Sequence, residues 1–323
     1  MSTSNRASNG KYLLDPAYHA LLDEAPQAWN LDTLPAIRQR VHAGIQPSEP
    51  LRFEEHWVAR AENEAPLRLC VYAPLGPKAG PARPSIYYIH GGGFVLGKPE
   101  MVDDQLAELA HSMGALVVAV DYRLAPEYPF PSPLEDCLAG LEWLIERTEL
   151  LGIDPQRITL MGHSAGGGLA AGLAQLARDL GLPALAGQLL IYPMLDCRTG
   201  TPDSPWHNPT TGRFAWTADA NRFCWASLQG QQLPSENMLG YFSPLLATDL
   251  TGLPPTFIAV GALDLFFEED LEYARRLSRA GVALELHVYP GVTHMFDLSP
   301  SLQTAQCKEA VSQALNRWWL ANF

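Results

Sequence analysis

The chain has 323 residues, of which 47% are hydrophobic, and 22 Lys and Arg against 35 Asp and Glu give a formal charge of −13. That acidic balance argues against nucleic acid or another polyanion as partner, because phosphate recognition needs clustered Lys and Arg and no basic block occurs. At about 150 residues per domain, the length fits either two domains or one α/β core with an elaboration.

The first residues, MSTSNRASNGKYLLDPAYH, are polar where a secretory signal carries an apolar segment, and no apolar run approaches the roughly 18 residues of a membrane span. A soluble, cytoplasmic protein with no membrane contact is expected. Cysteines at 70, 137, 197, 224 and 307 are odd in number and match neither a disulfide framework nor zinc-ligand spacing, so they read as reduced thiols. No HExxH, EF-hand loop or P-loop lysine occurs, so neither metal nor cofactor is expected.

In chain order, residues 1–48 hold two helix-like pieces, YHALLDEA and LPAIRQRVHAG, ahead of any strand. Strand-like runs follow at LRFEEHWV (51–58), LRLCVYAP (67–74), SIYYIH (85–90), ALVVAVDY (115–122), RITLMGHS (157–164), GQLLIYPML (187–195), TFIAVGALD (256–264) and LELHVYPG (284–291). The first two alternate, whereas the later ones are almost continuously apolar, as in parallel strands covered on both faces. Amphipathic stretches of helical length lie at 101–113, 132–147, 166–181, 268–280 and 302–319, and the alternation of strand and helix predicts an open, mostly parallel eight-stranded α/β sheet flanked by helices. Residues 196–240 break the alternation. A structureless loop of that length is improbable in a compact domain, so helices are expected there, packing with the N-terminal piece as a lid. The division is then 1–48 and 196–240 as helical cap, with 49–195 and 241–323 as the two parts of the core.

The strongest local signal is Gly162-His163-Ser164-Ala165-Gly166, between the apolar strand RITLM and the helix-like GLAAGLAQLARDL. Strand, tight turn and helix in succession force a non-glycine residue into a strained conformation and expose the Ser hydroxyl at the sheet's C-terminal edge. Serine is a poor nucleophile unless a base takes its proton and donors hold the resulting oxyanion. His90-Gly91-Gly92-Gly93-Phe94 follows the strand SIYYI, and its glycines leave bare N–H groups at the same edge. In a strand, elbow, helix hydrolase the order is Ser, then acid, then His, which leaves His207, His287 and His294. His287 lies within a strand and His207 in the insertion, whereas His294 follows the last strand and is the candidate base. Asp264, at the end of TFIAVGAL, is the candidate acid, with Asp196 its competitor one strand–helix unit earlier.

HGGGF (90–94), DYRLAPEYPFP (121–131), GHSAGG (162–167), YPMLD (192–196), YFSPL (241–245), DLFFEED (264–270) and YPGVTHMF (289–296) together resemble the hormone-sensitive-lipase family of α/β-hydrolases, the bacterial family IV carboxylesterases. The resemblance covers roughly residues 50 to 323 and makes residues 1–48 and 196–240 the counterpart of that family's cap. It implies a triad of Ser164, His294 and Asp264, with oxyanion amides from Gly92, Gly93 and Ala165. His90 and the DYRLAPE segment would support the oxyanion loop, and Glu268 would back the acid loop. Two positions depart from the family pattern: His163 stands where an acidic residue or Thr is usual and should point away from the substrate face, and Met295 stands where Gly is usual, reducing backbone freedom.

Trp206, Phe214, Trp216, Phe223 and Trp225 crowd the insertion, and with Phe94 they supply candidates for a short apolar pocket, above all Trp206, Phe214 and Trp216. The resulting expectation is a serine carboxylesterase acting on short-acyl esters through an acyl-enzyme. An amide or formamide deacylase with the same triad is the nearest alternative, and a non-catalytic ligand receptor on the same scaffold is the other. The last strand, LELHVYPG, could lie at a sheet edge and pair in a homodimer.

Overall fold

The computed structural model describes residues 11–23, 27–45, 52–60, 64–75 and 82–320; the first ten residues, and the parts of the predicted segments at 24–25 and 51, lie outside them. One eight-stranded sheet organises the chain: β1 (Glu54–Val58), β2 (Leu67–Tyr72), β3 (Arg83–Ile89), β4 (Leu116–Asp121), β5 (Ile153–His163), β6 (Gly187–Ile191), β7 (Thr256–Gly261) and β8 (Leu284–Tyr289). Their spatial order is β1-β2-β4-β3-β5-β6-β7-β8. β2 is antiparallel to both β1 and β4, and every other pairing is parallel. The expectation of an alternating β2 does not hold: five of its six residues are buried, because it is paired on both edges and covered on both faces.

Among the described residues, seven helices of eleven residues or more surround the sheet: α1 (Leu34–Gly44), α2 (Asp103–Met113), α3 (Ser132–Glu146), α4 (Ala165–Asp179), α5 (Ala218–Gln229), α6 (Phe267–Arg279) and α7 (Leu302–Leu320). Two apolar clusters form, one on each face. The larger joins α1, α3, α4, α5 and α6 to the sheet, and the smaller joins α2, α7 and the segment around Leu14 and Tyr18. The apolar runs of the central strands serve both clusters at once; Tyr87 and Ile89 of β3 face the first, Ile86 and Tyr88 the second.

Helix α4 lies unusually close to the sheet. A Cβ on Gly166 would strike the backbone of Ile89 and His90, and one on Gly168 would strike the Met194 carbonyl. The three glycines after Ser164 therefore let the helix approach β3 and β6 at backbone distance.

The insertion is less helical than expected. Its one long helix is α5, opened by Thr217, whose side chain accepts the Ala220 amide. Residues 197–217 form successive turns held by short-range bonds such as Thr199 N to Asp196 O and Ser204 N to Thr201 O. The N-terminal piece reaches this region through Trp29, edge-on to Trp216 with centroids 5.4 Å apart and tilted on Phe223 at 6.2 Å.

Candidate active site

The direction in which consecutive strands are laid down reverses at β3, flanked by β4 on one side and β5 on the other, and the crevice above such a reversal is where open α/β sheets hold ligands. The register pairs Ile89 with Gly162, so His90 and Gly91 leave β3 beside His163 and Ser164 leaving β5. A Cβ on Gly91 would lie 3.4 Å from the Ser164 Cβ.

Ser164 has φ 56° and ψ −122°, a strained conformation costing about 1–3 kcal/mol in a non-glycine residue. The surroundings over-determine it. Its N–H donates to Ile191 O at 2.9 Å, and its carbonyl accepts the amides of Gly168 and Met194, both at 3.0 Å. A side chain at Gly162 would collide with the Gly166 carbonyl, so the flanking glycine is a steric requirement of this turn.

The Ser164 hydroxyl meets His294 Nε2 at 2.8 Å, and His294 Nδ1 meets Asp264 Oδ2 at 2.8 Å. All three residues are buried, at 6%, 3% and 1% exposure. The other Asp264 oxygen accepts the Phe266 amide at 3.0 Å, which fixes the carboxylate plane. An Asp carboxylate accepting from Nδ1–H leaves the Nε2 lone pair facing the serine, the tautomer a general base needs. Tyr192, Phe266 and Trp216 wall the imidazole, with centroids at 4.6, 5.0 and 5.8 Å.

Opposite the hydroxyl, Gly92 has φ 118° and Gly93 φ 60°. The Gly92 carbonyl takes the amides of Val95 and Leu96, both at 3.1 Å, closing a tight turn. Among the described residues the amides of Gly92, Gly93 and Ala165 have no acceptor, and Ala165 opens α4, where the helix dipole favours negative charge. His90 is buried, and burial pulls its pKa below the usual imidazole value. The neutral ring donates Nδ1–H to Gly91 O at 2.8 Å and stacks on Tyr122 at 4.2 Å, whose hydroxyl donates to His90 O.

Several sequence candidates occupy other places. Glu268 is not behind the acid loop: its Oε1 accepts Asn208 Nδ2 at 2.8 Å, and with Trp206 and His207 it lines a cavity of about 260 Å³ in the insertion. The next two carboxyls are both buried: Glu269 Oε1 accepts the amides of Leu195 and Asp196 at 2.6 and 3.3 Å, and Asp270 lies near Asp264. Phe94 is buried against Trp225 at 5.2 Å, Phe214 packs on the smaller cluster, and Trp206 lines the separate cavity. Trp216 alone of the pocket candidates is beside the imidazole. His287 pairs with Glu285 at 2.6 Å on β8, and Asp196 is ion-paired to Arg198 at 2.8 Å.

Several supports had no signal in the sequence. Arg38 of α1 donates to Val95 O at 2.6 Å, Ala125 O at 2.8 Å and both Glu127 oxygens at 2.7 and 2.8 Å, tying the glycine loop to the DYRLAPE segment. Asp136 of α3, 2% exposed, accepts the Arg123 amide at 2.8 Å and pairs with Arg60 and Arg123. The loop carrying His294 is gripped from outside by Asp15, whose amide donates to Gly291 O at 2.8 Å, and by Tyr18, whose hydroxyl donates to Phe296 O at 2.9 Å. Met295 has φ 60°, the left-handed conformation that glycine would adopt without strain.

A family model of the alpha/beta hydrolase fold matches residues 86–298. The chain belongs to the α/β-hydrolase carboxylesterase family. An ethyl acetate hydrolase of Pseudomonas putida is 38% identical over 244 residues, covering 73% of this chain and 73% of its own length. Esterase LipI of Mycobacterium tuberculosis is 31% identical, covering 99% of this chain and 98% of its own. Among solved structures a bacterial heroin esterase superposes with a TM-score of 0.83 at 34% identity, covering 95% of this esterase and 98% of that chain. Among the described residues no helix is long and apolar enough to cross a membrane.

Proposed function

We propose that the protein hydrolyses esters of short acyl chains by acyl transfer through Ser164, His294 and Asp264. The observation that carries this reading is the buried, continuous pair of 2.8 Å contacts running from Ser164 through His294 to Asp264. In the first half-reaction the Ser164 hydroxyl attacks the ester carbonyl as His294 Nε2 takes its proton, and Asp264 stabilises the imidazolium. The tetrahedral oxyanion is held by the amides of Gly92, Gly93 and Ala165, fixed in place beforehand by the turn at Gly92 and the start of α4. His294 returns the proton to the departing alcohol. Water, activated by the same imidazole, then cleaves the acyl-enzyme and restores Ser164.

A short acyl chain is supported by Trp216, which leans over both His294 and Gly93 and limits the room above the oxyanion. Trp29 and Trp216 in contact support residues 1–48 and 196–240 acting as one cap. Five free thiols support cytoplasmic residence, and the outward-facing Leu286 and Val288 of edge strand β8 support a homodimer paired through that strand. Light scattering showing only monomer would end the dimer reading.

The experiment is a series of p-nitrophenyl esters from acetate to dodecanoate run beside Ser164→Ala. Turnover is expected to peak at the short end, and the variant should lose about 10³-fold or more in kcat. Near wild-type turnover by Ser164→Ala overturns the assignment, and faster cleavage of the matching anilide would mark an amide deacylase.

A further inference from the structure

On the face of the sheet that carries α2 and α7, a cavity of about 290 Å³ opens beside His163. Tyr88, Met161 and Ile191 form its floor, and Leu106, Leu109 and Val311 its walls. Cys307 also reaches it, but burial pushes that thiol up to about 12, so it is inert. At roughly 30 Å³ for each water-sized volume, the space holds about ten non-hydrogen atoms.

One charged group stands at the inner end of this apolar chamber. Asp297, its side chain 11% exposed, accepts from His163 Nε2 at 3.2 Å and from the Tyr192 hydroxyl at 2.5 Å. Burial pushes its carboxyl up, but the bond and charge attraction to His163, with the Tyr192 bond and a local backbone bond, outweigh burial and hold it below the usual carboxylate range. An ionised carboxylate accepts about four hydrogen bonds, so capacity remains. The rim adds Glu108 and Glu309, against Lys308, which is paired to Glu108 at 3.6 Å with both side chains more than half exposed. Such an exposed pair contributes little and opens easily. Three carboxylates thus face one lysine and the already engaged His163, in a space otherwise mostly apolar, with Gln105, Ser112 and Ser312 its uncharged polar groups.

The geometry points to a binding site for a small apolar ammonium compound, its cationic head against Asp297 and its body between α2 and α7. This site is separate from the acyl-transfer machinery and does not rest on the triad assignment. It is nevertheless connected to that machinery. Tyr192, which donates to Asp297, lies edge-on to the His294 ring at 4.6 Å. The negative charge on Asp297 favours the imidazolium that forms when His294 takes a proton, and a bound cation removes that support. Occupancy therefore lowers kcat without touching the ester pocket.

The test uses 2-phenylethylammonium and enzyme whose catalytic chamber is already filled by a phosphonate, with binding followed calorimetrically. One-to-one binding with a Kd below about 1 mM is expected, and 2-phenylethanol, of the same shape without the charge, should bind at least tenfold more weakly. Leu109→Trp, which fills the chamber with an apolar ring, should abolish binding while leaving unliganded turnover unchanged. With free enzyme, the ammonium compound should reduce kcat at least twofold at constant KM. No binding, equal binding of the alcohol, binding that survives Leu109→Trp, or an effect on KM alone would each overturn the proposal.

Discussion

Replacing Arg38 by Ala removes four contacts at once, and their separate weights define the expected outcome. The pair with Glu127 is the smaller part, because Glu127 is 54% exposed and such pairs are worth at most about 1 kcal/mol. The bonds to Val95 O and Ala125 O come from a charged donor whose side chain is 21% exposed, and such bonds contribute about 1.5–3 kcal/mol each. Water replaces part of this when the side chain is gone. Global stability should therefore fall by about 3 kcal/mol, the low end of the sum of the two bonds, visible as a lower denaturation midpoint with an unchanged slope. The larger effect falls on the loop. Val95 is two residues beyond Gly93, so releasing its carbonyl lets the oxyanion amides drift. Loss of a complete oxyanion donor costs about 10²–10³ in kcat, and drift without loss should cost about 10–100-fold. KM for p-nitrophenyl acetate should stay within about threefold, and a trifluoromethyl ketone, which forms the oxyanion itself, should lose affinity in proportion to kcat/KM. Added methylguanidinium should restore part of the rate. A folded Arg38→Ala enzyme with kcat within twofold of wild type would refute the reasoning.

Asp264→Asn should keep the fold but favour the wrong imidazole tautomer, reducing kcat by about 10³–10⁴ on p-nitrophenyl acetate; an unchanged rate would remove Asp264 from the triad. Gly93→Ala sets a Cβ 2.6 Å from Cys224 Sγ and 2.8 Å from Trp216 Cη2 at φ 60°, so kcat should drop about 10²-fold; retained activity in steady-state assays would show that the loop yields freely. Asp270 is fully buried with neither carboxyl oxygen hydrogen-bonded, and burial, with Glu269 and Asp264 nearby, pushes its pKa well up. The native state therefore keeps a proton that the unfolded chain releases near pH 4, so stability declines as pH climbs above that value. Asp270→Asn should raise the Tm more at pH 8 than at pH 5 by calorimetry, and an equal gain at both would contradict a raised pKa.

The central strands and their helices were legible because each is long, apolar at the correct period and bounded by Gly or Pro. The elbow was legible because a strained turn demands glycines at fixed offsets around Ser164. Chain order then singled out His294 and Asp264 for the positions where they now lie 2.8 Å apart. What stayed illegible depends on phase or on distance along the chain. Glu268, Glu269 and Asp270 are consecutive carboxylates, and a helix turns about 100° per residue, so only the exact start of α6 decides that Glu269 and Asp270 face inward and Glu268 does not. Arg38 and Asp136 act across separations of 87 and 76 residues as single side chains, with no spacing pattern to announce them. The turns of 197–217 carry neither period, and Trp206 and Trp216 differ only in where those turns lead.

The hold of Asp15 and Tyr18 on the loop that bears His294 joins two segments far apart in sequence at the molecule's most demanding spot. Tyr18 has no partner on this loop until Phe296 has been made, so proton transfer waits on that closure in a nascent copy. A nick or fusion near Tyr18 would thus be felt as a loss of turnover at a histidine nearly three hundred positions away.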